Sequence, residues 1–289
     1  MLWLTMVTLC VLGLTTLAWW RYCHVLTTST ANLPTDPLSL KSPPGRDPWI
    51  RAQHQKGVTW LHEIFERSAA RYPGHTALQV PTSGEVLTYR ELNTRAEQLA
   101  AEISRHLTGP DQVVAVSLEQ NQAEIVAVHL AILKAGATQL FLDPAAPPGM
   151  HQHMLQDADP VLIIHDEGTQ VPANLTALNV RNVAATASLS RTPPVWLDEP
   201  QERLAALFYT SGTTGRPKGV ECAHAGYTNL ARSYASYFDF TAGADATSLT
   251  SSLGYDGSIS ELYSAWVFGA AVVLLTKEEV RSGPDLLPI

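Results

Sequence analysis

The sequence predicts an α/β fold in which mixed β-sheets are covered by helices on both faces. Short apolar runs, such as VVAVSL at residues 113–118 and PVLIIH at 160–165, have the length of buried strands. Longer segments with apolar residues at helical spacing alternate with these runs along the chain. The 289 residues are 45% hydrophobic, so the chain can build a large buried core.

The predicted helices have recognisable starts and ends. The segment WLHEIFERSAARYPG at 60–74 has apolar residues at helical spacing and ends at a Pro-Gly pair. The segment at 87–107 begins with a capping box, in which Thr88 and Glu91 each bond the other's backbone. Its apolar stripe comprises Leu92, Ala96, Leu99, Ile103 and Leu107. A third helix, AEIVAVHLAILKAG, is closed by Gly136.

Charge and cysteine content exclude several classes of function. The formal net charge is −8 and no basic stripe is present, which argues against nucleic-acid binding. The cysteines are Cys10, Cys23 and Cys222, and none forms a CxxC motif. The sequence therefore predicts neither a disulfide framework nor a zinc site, and a folded part that resides in the cytosol.

The N-terminus predicts a transmembrane anchor at residues 1–26, followed by a Pro-rich linker at 27–57. The first twenty residues carry no charged side chain, and Arg21 and His24 follow them. Positive charge on that side predicts a single-pass membrane protein whose folded domain, 58–289, lies in the cytoplasm. Two alternatives remain. Residues 29–31 could serve as a signal-peptide cleavage site, or the segment could be translated non-coding sequence, which would leave a cytoplasmic protein.

The stretch YTSGTTGRPKGV at 209–220 follows a predicted strand and has the composition of a phosphate-binding loop. Its glycines, 212, 215 and 219, allow a phosphate to approach the backbone closely. Hydroxyl groups supply donors and Lys218 supplies a positive charge. The alternative is an ordinary surface loop. The spacing differs from that of a Walker loop, in which Lys-Ser/Thr directly follows the last glycine.

The segment LFYTSGTTGRPKGV at 207–220 resembles the phosphate-loop signature of the adenylate-forming, or AMP-binding, enzymes. This superfamily includes acyl-CoA synthetases, luciferases and the adenylation domains of nonribosomal peptide synthetases. Further similar segments occur in the same order: LTYRELNTRAEQLAAEI, LAILKAGATQLFLDP and GYDGSISELYSAWVFGAAVVLL. The resemblance extends over about residues 60–276 and implies the N-terminal half of the adenylate-forming fold.

The resemblance also implies a reaction and a set of ATP-binding residues. Such enzymes use Mg²⁺ and ATP to convert a carboxylate into an acyl-adenylate. The residues implied to bind the phosphates are Thr210, Ser211, Gly212, Thr213, Thr214, Gly215 and Lys218, with Lys218 also the implied catalytic residue. No residue of this chain is assigned as a metal ligand.

Asp256 is the residue that bears on which class of substrate the chain would bind. In the peptide-synthetase branch, the aspartate at this motif position pairs with the α-ammonium group of an amino acid, and Gly257 and Ser260 would lie on the same wall of the pocket. Their small size predicts a wall that no bulky side chain fills. The alternative role for Asp256 is that of an N-cap for the following helix.

The family completes its ATP site with residues further along the chain than this sequence extends. Three functions therefore remain as expectations. The chain could be an amino-acid-activating ligase of nonribosomal-peptide or related secondary metabolism, a truncated non-catalytic remnant or split subunit, or a piece of a longer enzyme. The partners predicted are a small carboxylate or amino acid, a carrier protein, and the C-terminal half of the domain on another chain.

Overall fold

A computed structural model describes residues 60–169, 171–183, 202–210 and 216–281. All of them belong to Ala52–Ile289, one of the two compact units of the chain. The helices are α1 Leu61–Arg71, α2 Tyr89–Ile103, α3 Glu124–Lys134, α4 Pro148–Ala158, α5 His224–Tyr237, α6 Gly257–Trp266 and α7 Lys277–Arg281. The strands are β1 Thr76–Val80, β2 Glu85–Thr88, β3 Val113–Ser117, β4 Thr138–Phe141, β5 Leu162–His165, β6 Ala177–Asn179, β7 Leu204–Thr210, β8 Lys218–Ala223, β9 Ala246–Leu249 and β10 Ala271–Leu274.

The strands form two mixed sheets, which confirms the predicted α/β class. One sheet has the order β2-β1-β10-β9 and the other the order β6-β5-β3-β4-β7-β8. Pairing is parallel throughout except for β1 with β2 and β7 with β8. The central strands β3 and β4 are buried along most of their length, as expected for strands covered on both faces.

Helix α3 is the most deeply buried helix of the described residues, since Ile125 to Leu133 are buried without interruption. A helix that is apolar on all sides belongs in a core. Gly136 follows it with a φ of 74°, the left-handed conformation that the sequence predicted for the helix end.

The predicted start of α2 is confirmed in detail. The backbone nitrogen of Thr88 donates to Glu91 Oε2 at 2.8 Å, and that of Glu91 donates to Thr88 Oγ1 at 3.2 Å. The predicted stripe is buried, although Leu107 lies beyond the last helical residue.

The sequence missed the hairpin β1–β2 and strand β8. Strand β8 lies at the edge of its sheet and is exposed from Lys218 to Glu221, so it has no apolar alternation to reveal it. The missed strands are defined by their pairing partners rather than by local sequence.

No helix among the described residues is long and apolar enough to cross a membrane. The predicted anchor at 1–26 and the linker at 27–57 lie outside the described residues and stay predictions.

Three buried histidines lie where α1, α3 and α5 meet. His224 Nδ1 accepts a hydrogen bond from the backbone nitrogen of Leu61 at 3.1 Å. Burial lowers the pKa of His62 to about 3 and that of His129 to about 4, and it holds the pKa of His224 well below 6.5. His62 Nδ1 and His224 Nε2 are buried without a hydrogen-bond partner among the described residues. Protonating this cluster would bury uncompensated charge.

We therefore expect the chain to lose stability in acid. The folded-state pKa values of His62 and His129 lie below 6.5, so the unfolded state binds protons first as the pH falls. Stability is complete above about pH 6.5 and declines from there towards pH 4, by up to about 1.4 kcal/mol per pH unit for each histidine. Urea unfolding at several pH values measures this slope. His62→Leu should reduce it, whereas His106→Gln, at a partly exposed site, should not. Equal slopes in His62→Leu and the wild type would contradict the assignment.

Candidate functional site

The antiparallel hairpin of β7 and β8 carries the first and last of the predicted phosphate-binding residues. Thr210 pairs directly with Lys218, the last pair of the ladder before the connecting residues. Both side chains are exposed. The other predicted residues, Ser211, Gly212, Thr213, Thr214 and Gly215, lie outside the described residues. The structure thus brings together the two ends of the predicted loop.

The Lys218 ammonium group has no ion-pair partner among the described residues. Arg216, two residues earlier, is also exposed. An exposed and unpaired cation keeps its full charge for an anionic ligand, and a lysine on a fixed strand can act as a point charge towards phosphate.

Asp256 lies immediately before α6, and its side chain is exposed. Its backbone is already helical, with a φ of −62° and a ψ of −26°, and its side chain accepts no capping hydrogen bond. An N-cap residue has extended backbone and accepts a bond from the first turn. Asp256 thus occupies the N-cap position of α6 without a side-chain capping bond, and its carboxylate has no hydrogen-bond partner among the described side chains.

Gly257 and Ser260 lie in the first turn of α6, directly after Asp256. A Cβ atom on Gly257 would lie 2.6 Å from Cε1 of Tyr255, so the tyrosine ring fills the space beside this glycine. The sequence predicted a wall free of bulky side chains, and the structure differs at this point. Tyr255 is 49% exposed, so part of this residue remains accessible to solvent.

Tyr227 is a further residue of this region that sequence reasoning did not find. It lies on α5 and is 8% exposed. Burial raises the pKa of its hydroxyl, Cys222 adds to the shift, and the negative charge of Asp256 contributes further. The phenol therefore stays protonated close to Asp256.

Glu261 holds the segment that leads to Asp256. Its Oε2 accepts from the backbone nitrogens of Thr250 and Ser251 at 2.8 and 3.0 Å, and its Oε1 accepts from their hydroxyls at 3.0 and 2.8 Å. Gln120 bridges the same segment, donating to Ser251 O at 2.8 Å and accepting from Leu253 N at 3.3 Å. The only sequence signal for Glu261 is its place one turn after Asp256.

The described residues contain no group of three or more His, Cys, Asp or Glu side chains that could hold a metal ion.

A cavity of about 1030 Å³ lies at the carboxyl ends of β3 and β5. Its lining includes Leu155 of α4 and Asp159, which directly follows this helix, but neither Thr210, Lys218 nor Asp256. Some residues of α4 therefore line this cavity, whereas others contact the β7–β8 hairpin.

With this geometry established, comparison with known proteins identifies the family. Residues 65–288 match the family described as AMP-binding enzyme. The chain belongs to this family of adenylate-forming enzymes. Malpinin synthetase of Mortierella alpina is 35% identical over 240 residues, which cover 82% of this chain and 3% of that protein.

Solved structures agree with the fold. The N-terminal subdomain of NpsA from Klebsiella oxytoca superposes with a TM-score of 0.66 at 24% identity, covering 76% of this chain and 56% of that one. The nonribosomal peptide synthetase FmoA3 in its AMPPNP-bound form has a TM-score of 0.67 at 30% identity, covering 79% of this chain and 25% of that one. The chain thus has the fold of the N-terminal adenylation subdomain and spans a minor part of these synthetases.

We expect Glu261→Gln to destabilise the chain by about 2 kcal/mol, because an amide replaces a charged acceptor of four hydrogen bonds and adds donors facing donors. Urea unfolding measures the change. Glu278→Gln, at an exposed carboxylate, is the matched control. A loss for Glu261→Gln within about 0.5 kcal/mol, the usual range at a surface site, would show that these bonds do not hold the segment.

Proposed function

We propose that this chain takes part in the ATP-dependent activation of a carboxylate substrate, an amino acid, in nonribosomal-peptide or related secondary-metabolite biosynthesis. A carboxylate oxygen attacks the α-phosphorus of Mg·ATP, a new P–O bond forms, and pyrophosphate leaves. The observation that carries the proposal is the exposed, unpaired Lys218 held opposite Thr210 at the end of the hairpin.

Lys218 would stabilise the negative charge of the β- and γ-phosphates. The pyrophosphate that leaves carries more negative charge than the group bound in ATP, so a fixed cation stabilises the transition state more than the ground state. The Thr210 hydroxyl, across the ladder from Lys218, would add a hydrogen-bond donor.

Asp256 would bind the α-ammonium group of the amino acid. An exposed carboxylate gains little from a cation in water. The contact becomes selective once the bound substrate and the surrounding protein exclude water, because a substrate without an ammonium group then leaves the carboxylate unpaired. The neutral Tyr227 hydroxyl near Asp256 adds no competing charge.

The second candidate function is a non-catalytic remnant or split subunit. This candidate is favoured because the described residues include groups that could bind the phosphates and the ammonium group, but none of them is assigned to bind adenine or ribose. In that case activity would require the C-terminal half on another chain, and a carrier protein would accept the product from the assembled site.

We expect the chain to catalyse amino-acid-dependent exchange between ATP and pyrophosphate. Lys218→Ala should lower this exchange by about 10²–10³-fold, the usual effect of removing one preorganised charge donor. Arg105→Ala removes an exposed cation paired with Glu102 on α2 and should have no effect. A folded wild-type chain with no exchange for any amino acid would exclude the stand-alone ligase and leave the second candidate.

Asp256→Asn should lower the amino-acid-dependent exchange by about 30-fold or more, because it removes the charge that pairs with the ammonium group. Binding of Mg·ATP without amino acid, measured by calorimetry, should be unchanged. Asp256→Glu retains the charge and should recover part of the exchange. An Asp256→Asn chain with the wild-type KM for the amino acid would remove Asp256 from the binding site.

A further inference from the structure

Two residues of the Lys218 hairpin, one near the end of β7 and one just before β8, are hydrogen-bonded to the same helix, α4. At the end of β7, the Tyr209 hydroxyl donates to Asp157 Oδ2 at 2.7 Å. Just before β8, the Pro217 carbonyl oxygen lies 3.0 Å from His153 Nε2. His153 and Asp157 are four residues apart in the helix, so they lie on the same face. These two α4 hydrogen bonds therefore fix the residues adjacent to Thr210 and Lys218.

The direction of each bond follows from its chemistry. A carbonyl oxygen can only accept, so His153 Nε2 carries the hydrogen and donates it to Pro217. Burial and then Asp157 raise the pKa of the Tyr209 hydroxyl, so this group remains a donor. The rings of His153 and Tyr209 meet edge to face with centroids 6.4 Å apart. The two contacts thus also touch each other.

Gly219 lies directly beside the Tyr209 ring. It pairs with Tyr209 in the ladder, and an added Cβ atom would lie 3.3 Å from Tyr209 Cζ and 3.2 Å from Leu207 Cδ1. The tyrosine ring therefore lies against the backbone of β8. A larger residue in place of Gly219 would require the ring or Leu207 to shift slightly, so the glycine favours this close approach.

Helix α4 is itself held firmly. Near its start, His151 Nε2 donates to the carbonyl oxygen of Asp143 at 2.7 Å, and Lys277 pairs with the Asp143 carboxylate at 2.8 Å. Further along, Met154 is buried in an apolar cluster with Leu140 and Ile163. Because α4 is fixed near its start and at Met154, its hydrogen bonds to the hairpin hold the hairpin in a defined position.

We infer that His153 and Asp157 are positioning residues for Lys218. They hold both strands of the hairpin in place and so preset the lysine ammonium group for the phosphates of a nucleoside triphosphate. The inference rests on the proposed function, because it assigns Lys218 to a polyphosphate. A preset group loses less conformational freedom when the ligand binds, and the preset geometry therefore appears as affinity.

The test uses the full chain with His153→Ala and Asp157→Ala, and with Gln156→Ala as the matched control at an exposed site of the same helix. Calorimetry with Mg·ATP should show about fivefold weaker binding for each of the first two variants, which corresponds to about 1 kcal/mol. His153→Gln, which retains a donor, should recover most of the affinity. Tyr209→Phe combined with Asp157→Ala should be no weaker than either alone, because the two residues share one bond.

Amide hydrogen exchange without nucleotide provides the second readout. Exchange at residues 218–220 should rise in His153→Ala and Asp157→Ala, while the urea midpoint stays close to that of the Gln156→Ala control. Unchanged exchange would overturn the inference whether or not the chain binds ATP. Raised exchange with wild-type ATP affinity would overturn it as well. Raised exchange in a chain that binds no Mg·ATP even as wild type would refute the proposed function and reduce these bonds to a structural contact.

Discussion

The antiparallel pairing of β7 with β8 is the constraint on which the candidate site depends. Strand β7 lies inside the sheet, parallel to β4, and its position is set by the core. Among the strands that the structure describes, β8 has no other neighbour in that sheet, so its register comes from β7. This register places Lys218 opposite Thr210 and Gly219 opposite Tyr209. A shift by one residue would turn the lysine to the other face of the sheet and move the glycine away from the tyrosine ring.

A buried polar network relates this sheet to the helix that follows Asp256. His129 of α3 contacts Gln139 Oε1 of β4 at 2.6 Å through Nδ1 and the Tyr263 hydroxyl of α6 at 3.0 Å through Nε2. Because the amide oxygen accepts, Nδ1 carries the hydrogen and Nε2 accepts from the tyrosine. Burial lowers the pKa of His129 to about 4, so this neutral arrangement holds at neutral pH. Lys218 and Asp256 thus belong to elements tied to one core.

Sequence reasoning succeeded where a local signal determines the structure. The capping box of Thr88 and the continuous apolar run of α3 specify their helices without reference to neighbours. Strand β8 was missed because an exposed edge strand is defined by its partner and not by its own pattern. The same reason applies to the site. The loop motif drew attention to Lys218, but the α4 contacts of Tyr209 and Pro217 join residues more than fifty positions apart, and no spacing rule relates them.

The candidate site separates residues that would meet a ligand from residues that hold them. Lys218 and Asp256 are exposed and have no charged partner among the described residues, so water solvates them at little cost to folding. Their neighbours, in contrast, are hydrogen-bonded within the protein. Glu261 accepts four hydrogen bonds, and the Tyr209 hydroxyl donates to Asp157. A charge paired within the protein would have to break that pair before binding a ligand. Fixing the backbone instead of the charged group preserves both position and availability, which is the arrangement that binding a charged substrate requires.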